Sequence, residues 1–542
     1  MQPRPLVASQ RAAAPRLAVL AAFALSGAAA LSYEVVWTRA LSVVLGSTTH
    51  ALSSMLATFM LGLAIGGVLG GRAVRLGRDP LLWFGLCELG IGALGISALL
   101  VMRSLPAAYL ALYRALHLNA PAFYLVQLAL CSAVMLGPTV LMGMTFPLVA
   151  RALAPVAGDV GPAVGDAYGA NTLGAVLGSL ATGFALVPLL GLRGATVVAA
   201  AANAVVGLTF VARSWGARRA APLLLVLAAL AAAGARGPVT WSLVNFYSAH
   251  RLGEELDFDT LDRGEHEQLV RLFDESTADG RVVALRDSDG NLILQVDGKV
   301  EGTGTTDRPN TLLLAYLPVA AHAGARDMLV VGLGAGVTLE AARGAVPRVE
   351  LVEINRGVLE AVRRHGPPGV LDGVAVHRDD ARNFLLRSDR RWDVISSEPS
   401  YPTGFAVANL FTRDYFELAA SRLAEGGIYC QWLPYYMLTN DDVTMMVKTF
   451  GSVFPETTLW KVAGSMDLLL LGSDRPFARA PDAVVARVRE LNGGVPLAFT
   501  LSRGPGQVAE IARREDVPVN TDDHPVLEFR VARNFIAGQL KE

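Results

Sequence analysis

Long apolar stretches dominate the first 235 residues and constrain the fold more than any other feature of the chain. About 20 consecutive apolar residues are enough for a helix to cross a bilayer. Six stretches come near that length with at most one charged side chain each, at 17–37, 51–71, 81–102, 122–146, 170–191 and 194–212. A weaker stretch covers 221–235. The sequence therefore predicts a multi-span α-helical membrane bundle of six or seven helices over residues 1–235, with the lipid bilayer as a partner.

Arginine clusters set the expected orientation of this bundle. They occur at the N-terminus, at Arg72, Arg75 and Arg78, and at Arg213, Arg218 and Arg219. The positive-inside rule places such segments in the cytoplasm. Six crossings would return the C-terminal half to the cytoplasm and seven would export it, and a stretch of roughly 15 residues is marginal as a seventh. We expect a multi-pass protein of the cell (inner) membrane whose soluble domain is cytoplasmic.

Two further features lie inside the spans. Glycines recur every four residues at Gly62, Gly66 and Gly70, and at Gly174 and Gly178. Small residues at this spacing let helices approach closely in lipid, so we interpret them as packing positions. Glu88 lies well inside its span and Glu34 near the end of its own. An acid at that depth is costly and is often functional, and the alternative is a structural partner for an arginine or a backbone donor.

The C-terminal half has a different composition, and strands and helices alternate from Asp327 onward. Strands fit near 328–332, 348–353, 373–378, 392–397 and 427–432, and helices near 337–344, 356–364, 380–387 and 409–424. Such alternation predicts a mostly parallel sheet with helices on both faces, that is, a Rossmann-like α/β domain. Ahead of it, "LRDSDGNLILQVDGKVEGT" predicts a β-hairpin around the turn at 288–291. We divide the chain into the bundle (1–235), a linker with a small β-hairpin subdomain (236–310) and the α/β domain (311–542).

The glycine turn at 332–337 follows the first strand of the alternating region. It contains Gly332, Gly334 and Gly336, but Val337 stands where a dinucleotide fingerprint needs its third glycine. A pyrophosphate cradle is therefore the weaker interpretation. Glu353 ends the second strand, where a carboxylate can accept hydrogen bonds from both ribose hydroxyls.

Asp380 follows the third strand, with Ala381 next to it, and a carboxylate there can reach an adenine amino group. Three such groups at successive strand ends predict an adenosine pocket without a phosphate requirement.

Charge and cysteine content exclude other classes of site. The net charge is -1, so no global basic field supports nucleic-acid binding. Cys87, Cys131 and Cys430 are far apart and fit no metal or disulfide spacing. We expect neither a nucleic-acid partner nor a metal. A homo-oligomer is compatible with the sequence.

A run of motifs resembles the spermidine synthase family, the polyamine aminopropyltransferases. The motifs, in order, are "VDGKVEGTGTTD", "VVGLGAG", "LVEIN", "RDDARNFL", "WDVISSEPSYPTG", "NLFTRDYFELAASRLAEGGIYCQW" and "DLLLLGSD". The whole chain also resembles the bacterial group in which a membrane bundle is fused to such a domain, through "YEVVWTR", "GDAYGANTLGAVLGSLATGF" and "NTDDHPVLEF". The resemblance implies an S-adenosylmethionine-type transferase fold and transfer of an aminopropyl group from decarboxylated S-adenosylmethionine to putrescine.

The resemblance also implies residue roles. The three turn glycines would line the donor, Glu353 would bind its ribose, and Asp380 with Ala381 its adenine. Glu398 falls on the catalytic carboxylate of the family, where it would orient the acceptor amine and take its proton. Asp307 would contact the acceptor, although it is as well suited to a turn.

The chain departs from the family at three places. Glu398 replaces an aspartate, Tyr401 replaces the second acid of the catalytic loop, and Ala335 replaces an acid near the amine of the donor. A cationic acceptor favours several acids, so the true acceptor amine can differ from putrescine. Tyr401 is either an acceptor contact or a wall residue, and Glu398 is either the base or a turn cap.

Two other functions fit the same pattern. A methyltransferase that uses ordinary S-adenosylmethionine would suit Ala335, because an acid there would repel the carboxylate of that donor. A non-catalytic membrane protein or transporter that responds to a polyamine or nucleoside is the third hypothesis.

Overall fold

The computed structural model describes residues 16–77, 79–116, 120–154, 160–235, 269–277, 279–304, 307–402 and 405–536. The chain divides into two compact units. Unit 1 comprises Met1–Leu41, Ser54–Leu105 and Leu128–Trp241, and unit 2 comprises Ser42–Ser53, Pro106–Gln127 and Ser242–Glu542. Each unit is described by itself.

The N-terminal part is helical. Its helices are α1 (Arg16–Leu45), α2 (Thr49–Arg75), α3 (Pro80–Leu116), α4 (Ala120–Leu153), α5 (Val160–Ala181), α6 (Val187–Trp215) and α7 (Ala217–Ala235), with a π-helical turn at Thr182–Leu186. Five helices in the described residues are long and apolar enough to cross a membrane, and the fifth runs over the 56 residues from Val160 to Trp215.

That fifth helix contains two of the predicted stretches. At about 1.5 Å per residue it would measure about 84 Å, nearly three times the thickness of a bilayer's hydrocarbon core. The backbone leaves the helical region at Gly191, where φ is 69° and ψ is 177°. This break falls between the stretches 170–191 and 194–212, so the structure joins two predicted spans at a kink.

The glycine repeats lie where helices meet. A Cβ atom at Gly62 or Gly66 would overlap α4 at Thr139 and Val140, and one at Gly70 would lie 2.6 Å from the carbonyl oxygen of Met144. Gly174 and Gly178 abut the α1 backbone at Ala24 and Ala28 in the same way. The packing interpretation is therefore confirmed, because even a methyl group would force these helix pairs apart.

Unit 2 contains two sheets. The first is an antiparallel sheet in the order β1-β2-β3-β4, formed by β1 (Val270–Thr277), β2 (Gly280–Arg286), β3 (Leu292–Val296) and β4 (Lys299–Thr303). The predicted hairpin is β2–β3, and Asp287 stabilises its turn by accepting from the backbone N–H groups of Asp289 and Asn291 at 3.0 and 2.8 Å. The subdomain is larger than a hairpin because β1 and β4 extend it on both edges.

The second sheet has eight strands in the order β12-β10-β11-β9-β8-β5-β6-β7. These are β5 (Asp327–Val331), β6 (Arg348–Val352), β7 (Ala375–His377), β8 (Trp392–Ser397), β9 (Leu423–Pro434), β10 (Glu456–Val462), β11 (Asp467–Ser473) and β12 (Phe499–Arg503). Five neighbouring strands are parallel, in the order β9-β8-β5-β6-β7. The sheet continues beyond β9 with three antiparallel strands, β11, β10 and β12. The predicted parallel strands all form, and the antiparallel strands complete one edge.

The helices of unit 2 cover this sheet. They are α8 (Arg308–Ala321), α9 (Val337–Ala345), α10 (Arg356–His365), α11 (Ala381–Arg387), α12 (Phe405–Ala408), α13 (Arg413–Ser421), α14 (Asn440–Gly451), α15 (Pro481–Leu491), α16 (Pro505–Ala512) and α17 (Val526–Ile536), with 3-10 turns at Asn409–Phe411 and Tyr435–Met437. In α10 one face is buried (Val358, Leu359, Val362) and the other carries Arg363 and Arg364. Burying each such apolar side chain contributes about 1.5–3 kcal/mol, which holds the helix against β1 and β2 of the small sheet and fixes the loop before it.

Candidate active site

Neighbouring strands bring the predicted site residues to one edge of the sheet. β8, β5, β6 and β7 are adjacent and parallel, so their carboxyl ends open on the same side. Glu398 follows β8, the glycine turn follows β5, Glu353 follows β6 and Asp380 lies just beyond β7. Ligands of open α/β sheets bind at this edge.

The glycine turn passes very close to the Glu398 backbone. Gly332 has a φ of +88°, and a Cβ atom there would lie 2.8 Å from the carbonyl oxygen of Glu398. Gly336 has a φ of +90° and begins α9. Side chains other than glycine are strained in this left-handed region, so the turn needs glycine for its shape as well as for access to a ligand.

Glu353 is buried beside the turn, with 8% of its surface exposed. One carboxylate oxygen accepts from the backbone N–H of Leu333 at 2.9 Å, and the other accepts from that of Asn355 at 2.8 Å. Burial raises the pKa of Glu353 to about 7, although these two hydrogen bonds oppose the shift. Each oxygen keeps a second lone pair, so the side chain is held in place and can still accept from a hydroxyl.

Asp380 begins α11 and caps it. One of its oxygens accepts from the backbone N–H of Asn383 at 2.9 Å, and Ala381, the first residue of the helix, is buried. The cap gives Asp380 a structural role at the position where the sequence predicts an adenine contact.

Glu398 lies half-buried at the end of β8. Its Oε2 lies 3.1 Å from the Thr338 hydroxyl, which also lies 3.0 Å from the carbonyl oxygen of Thr311. A hydroxyl carries one hydrogen and a carbonyl only accepts. The Thr338 hydroxyl is the donor in both contacts and shares its one hydrogen between them, which favours the ionised form of Glu398.

Other acids surround Glu398. Burial raises its pKa to about 8, and the charges on Asp307, Asp467 and Glu301 add to the effect, whereas the Thr338 contact opposes it. Asp307 lies at the start of α8, where its side chain accepts from the Thr303 hydroxyl at 3.2 Å. The surroundings of Glu398 are therefore negative in character and suit a cationic ligand.

A buried lysine lies in the same neighbourhood. The Lys299 ammonium is 2.9 Å from Glu301, also donates to the Ser400 hydroxyl, and sits 3.5 Å above the ring of Tyr401. The Ser400 hydroxyl in turn donates to the other oxygen of Glu301 at 2.8 Å. This cluster connects β4 to the loop after β8.

Tyr401 belongs to an aromatic wall. Its ring lies 6.2 Å from that of Trp432 and 5.5 Å from that of Tyr436, between centroids. The indole of Trp432 donates to Asp467 at 2.9 Å, and burial raises the pKa of that carboxyl. The wall-residue interpretation of Tyr401 fits these contacts, and its hydroxyl adds no acid to the site.

Comparison with known proteins decides the family. The family model of the spermine/spermidine synthase domain matches residues 310–463. The polyamine aminopropyltransferase of Serratia proteamaculans (strain 568) is 30% identical over 212 residues, which are 37% of this chain and 68% of that protein. The chain belongs to the spermidine synthase family.

Another relative by sequence agrees with this spermidine synthase assignment. The polyamine aminopropyltransferase of Pectobacterium carotovorum subsp. carotovorum (strain PC1) is 29% identical over 253 residues, covering 44% of this chain and 82% of the relative. A solved spermidine synthase in complex with the transition state analogue AdoDATO is 18% identical with a TM-score of 0.36, covering 42% of this chain and 89% of that one. As a member of the family the protein is a transferase.

Three residues near Glu398 have no role in the prediction from the sequence. Lys299, Ser400 and Asp467 lie in motifs that carry the resemblance, but nothing in their local pattern assigned them a role. Lys299 and Asp467 are 168 positions apart in the chain and fall outside the family match. The sequence offers one signal for such a residue, which is a charged side chain at the start of an otherwise apolar strand, as Asp467 stands before "LLLL". Among the described residues, no group of His, Cys, Asp and Glu side chains is arranged to hold a metal ion.

Proposed function

We propose that the protein is a membrane-anchored aminopropyltransferase that transfers a propylamine group from decarboxylated S-adenosylmethionine to putrescine or another amine. The observation that carries the proposal is the group of acids around Glu398, whose charges add to the effect of burial in raising its pKa to about 8. Both substrates are cations, and a site of this charge attracts them. Family membership supplies the class of reaction.

The donor would lie across the strand ends. Gly332, Gly334 and Gly336 would let its nucleoside approach the backbone, Glu353 would accept from the ribose hydroxyls, and Asp380 with Ala381 would face the adenine. This assignment is supported by the hydrogen bond between Glu353 and Leu333, which ties the ribose carboxylate to the glycine turn.

The acceptor would lie between Glu398, Asp307 and the aromatic wall that includes Tyr401. The lone pair of the amine attacks the carbon beside the sulfonium sulfur, so that a C–N bond forms while the C–S bond breaks and its electron pair returns to sulfur. The amine then loses a proton, which the Glu398 carboxylate takes as general base. Asp467 replaces, in charge, one of the acids that the chain lacks at Ala335 and Tyr401, whereas Glu301 is paired with Lys299.

Product formation by the purified full-length protein tests this proposal. Mass spectrometry should detect the aminopropylated amine, and Glu398→Gln should lower the rate by about 10²–10⁴, the usual contribution of a general base. Glu417→Gln changes an exposed acid of α13 and serves as the matched control. Equal rates for the two variants would remove Glu398 from the mechanism.

One observation favours the methyltransferase alternative. The Lys299 ammonium is buried beside the site, and it could pair with the carboxylate that only ordinary S-adenosylmethionine carries. Calorimetric titration with both donors separates the two functions. Aminopropyl transfer requires tighter binding of the decarboxylated donor, and a strong preference for the ordinary donor would refute it. Absence of any product with either donor would leave the non-catalytic, polyamine-responsive role.

We place the soluble domain in the cytoplasm, where sulfonium nucleosides are made. Arg218 and Arg219 occupy the first turn of α7, which leaves an apolar run over 220–235 that is about 24 Å long, shorter than the roughly 30 Å hydrocarbon core. One observation favours the opposite side of the membrane. Residues 42–53 and 106–127 belong to unit 2, and one helix separates each of these segments from an arginine-bearing segment that the positive-inside rule places in the cytoplasm. A reporter fused after Glu542 tests the location of the soluble domain. Reporter activity in the periplasm alone would overturn both the cytoplasmic location and transfer from a cytoplasmic donor.

A further inference from the structure

A lysine side chain beside the proposed acceptor position is buried. Lys299 begins β4, directly after a tight turn in which Asp297 and Gly298 have φ values of 49° and 80°. Side chains two residues apart in a strand point to the same face, so Lys299 and Glu301 lie side by side. The Lys299 ammonium is 2.9 Å from a Glu301 oxygen, and 5% of the residue is exposed. The carboxylate offsets the cost of burying this positive charge.

The groups around this ammonium are those that bind an amine. An ammonium has three N–H donors. Glu301 and the Ser400 hydroxyl accept from Lys299, whose nitrogen also lies 3.5 Å from the centre of the Tyr401 ring. Ser400 closes the cluster by donating to the second Glu301 oxygen at 2.8 Å. The carboxylate, hydroxyl and aromatic face that could receive a ligand ammonium here already hold one, and it belongs to the chain.

The aromatic wall leaves little space for a second cation at Tyr401. Cation–π attraction places the cation over the face of a ring, within about 6 Å of its centre. Lys299 lies over the Tyr401 ring, which also contacts the rings of Trp432 and Tyr436. Only 8% of Tyr401 is exposed. The internal ammonium therefore fills the cation position of this ring.

The balance of charge near Glu398 leads to the same conclusion. The charges of Asp307, Asp467 and Glu301 act on Glu398, and Lys299 neutralises that of Glu301. The carboxylates that remain are Asp307, Asp467 and Glu398 itself, which carry three negative charges when ionised. The sulfonium and ammonium of the decarboxylated donor and the ammonium of a monoamine supply three positive charges, and a diamine supplies a fourth.

We propose that Lys299 is a specificity-determining residue whose ammonium takes the place of a second acceptor ammonium, so that the acceptor is a monoamine with an uncharged tail. A diamine would bring its far ammonium against Lys299, and juxtaposed like charges select against a ligand. An uncharged tail can instead pack on Tyr436, which is the partly exposed ring of the wall. The bonds formed and broken in the transfer are unchanged, and this substrate class rests on the proposed function for the place of the acceptor.

Calorimetric titration with putrescine and with n-pentylamine tests the role of Lys299. These amines have equal chain length and differ only in a far ammonium or methyl group. The full-length protein is held in lipid nanodiscs with methylthioadenosine, the nucleoside product of the transfer. Wild type should bind n-pentylamine at least about tenfold more tightly than putrescine.

Removal of the lysine should reverse this preference. Lys299→Ala releases Glu301 and the Tyr401 ring and leaves space for the far ammonium, so the affinity ratio should shift toward putrescine by about tenfold or more. Lys299→Met keeps most of the side-chain volume without the charge and should shift the ratio in the same direction, even if Lys299→Ala does not fold. Lys461→Ala changes an exposed lysine of β10 and should keep the wild-type ratio.

Two results would overturn the inference. One is wild-type protein that does not bind n-pentylamine more tightly than putrescine. The other is an affinity ratio that the folded Lys299 variants leave at the wild-type value. The titrations need no turnover, so they are independent of the assay for product. Absence of any aminopropylated amine would refute the proposed transfer, whereas an unchanged affinity ratio refutes only the role of Lys299.

Discussion

The pH dependence of the transfer rate follows from the surroundings of Glu398. Only the ionised carboxylate can take a proton, and its pKa is raised to about 8. With that value about one site in eleven is ionised at pH 7 and about ten in eleven at pH 9. The rate should therefore rise with pH, by about tenfold over these two units.

The acceptor amine titrates in the same direction, so the assay has to separate the two groups. We expect the ratio of kcat/KM between wild type and Glu398→Gln, measured with one acceptor, to rise about tenfold from pH 7 to pH 9, because the acceptor contributes equally to both. Asp307→Asn removes a negative charge near Glu398 and should move the midpoint of the wild-type profile to lower pH. A flat ratio, or a midpoint that Asp307→Asn leaves in place, would refute the role of Glu398 as base and the electrostatic account of its pKa.

Three further predictions concern stability and packing. Gly332→Ala should destabilise the protein by about 1–2 kcal/mol from backbone strain alone. The loss should be larger than this because the new Cβ would meet Glu398. Thermal unfolding in detergent measures the change, and an unchanged Tm would contradict the turn geometry. Glu353 and Glu398 bind protons more tightly when folded than the ordinary carboxyl does, so their contribution to stability is fully present below about pH 4.5 and is lost as the pH rises from there through 7 and 8. This fall in Tm with pH should be smaller in Glu398→Gln, and an identical slope would disprove it. Gly174→Val should separate α5 from α1 and lower the yield of folded protein. Gly183→Val is the control, because the space around Gly183 is open and the yield should not fall. Equal yields for the two variants would refute close packing of α5 on α1.

The site at the carboxyl ends of the parallel strands could be predicted from the sequence because its position depends on local rules. An apolar run such as "MLVV" predicts a buried strand, a glycine turn predicts its end, and ligands bind where parallel strands end. Glu353 is predicted in this way, without knowledge of any side-chain contact, whereas Glu398 is assigned through the resemblance to the spermidine synthase family. The strand boundaries agree to within a residue or two for β5, β6 and β8.

What the sequence did not provide are contacts between distant segments. Lys299 reaches Ser400 and Tyr401 across 101 or more positions, and such pairs depend on how the small sheet packs on the glycine turn. The antiparallel pairing of β10, β11 and β12 also depends on tertiary packing. Likewise, the break at Gly191 could be predicted as a gap between two apolar stretches, but the continuous helical path through it could not.

The raised pKa of Glu398 has a consequence for ligand uptake. Because Glu398 is mostly in its acid form at pH 7, a sulfonium ion arriving beside it favours the release of that proton to the medium. Binding of the donor and loss of the proton are then thermodynamically coupled, so the affinity for the donor should increase as the solution becomes more alkaline. In a weakly buffered solution, mixing donor with protein should acidify the solvent before any acceptor is added.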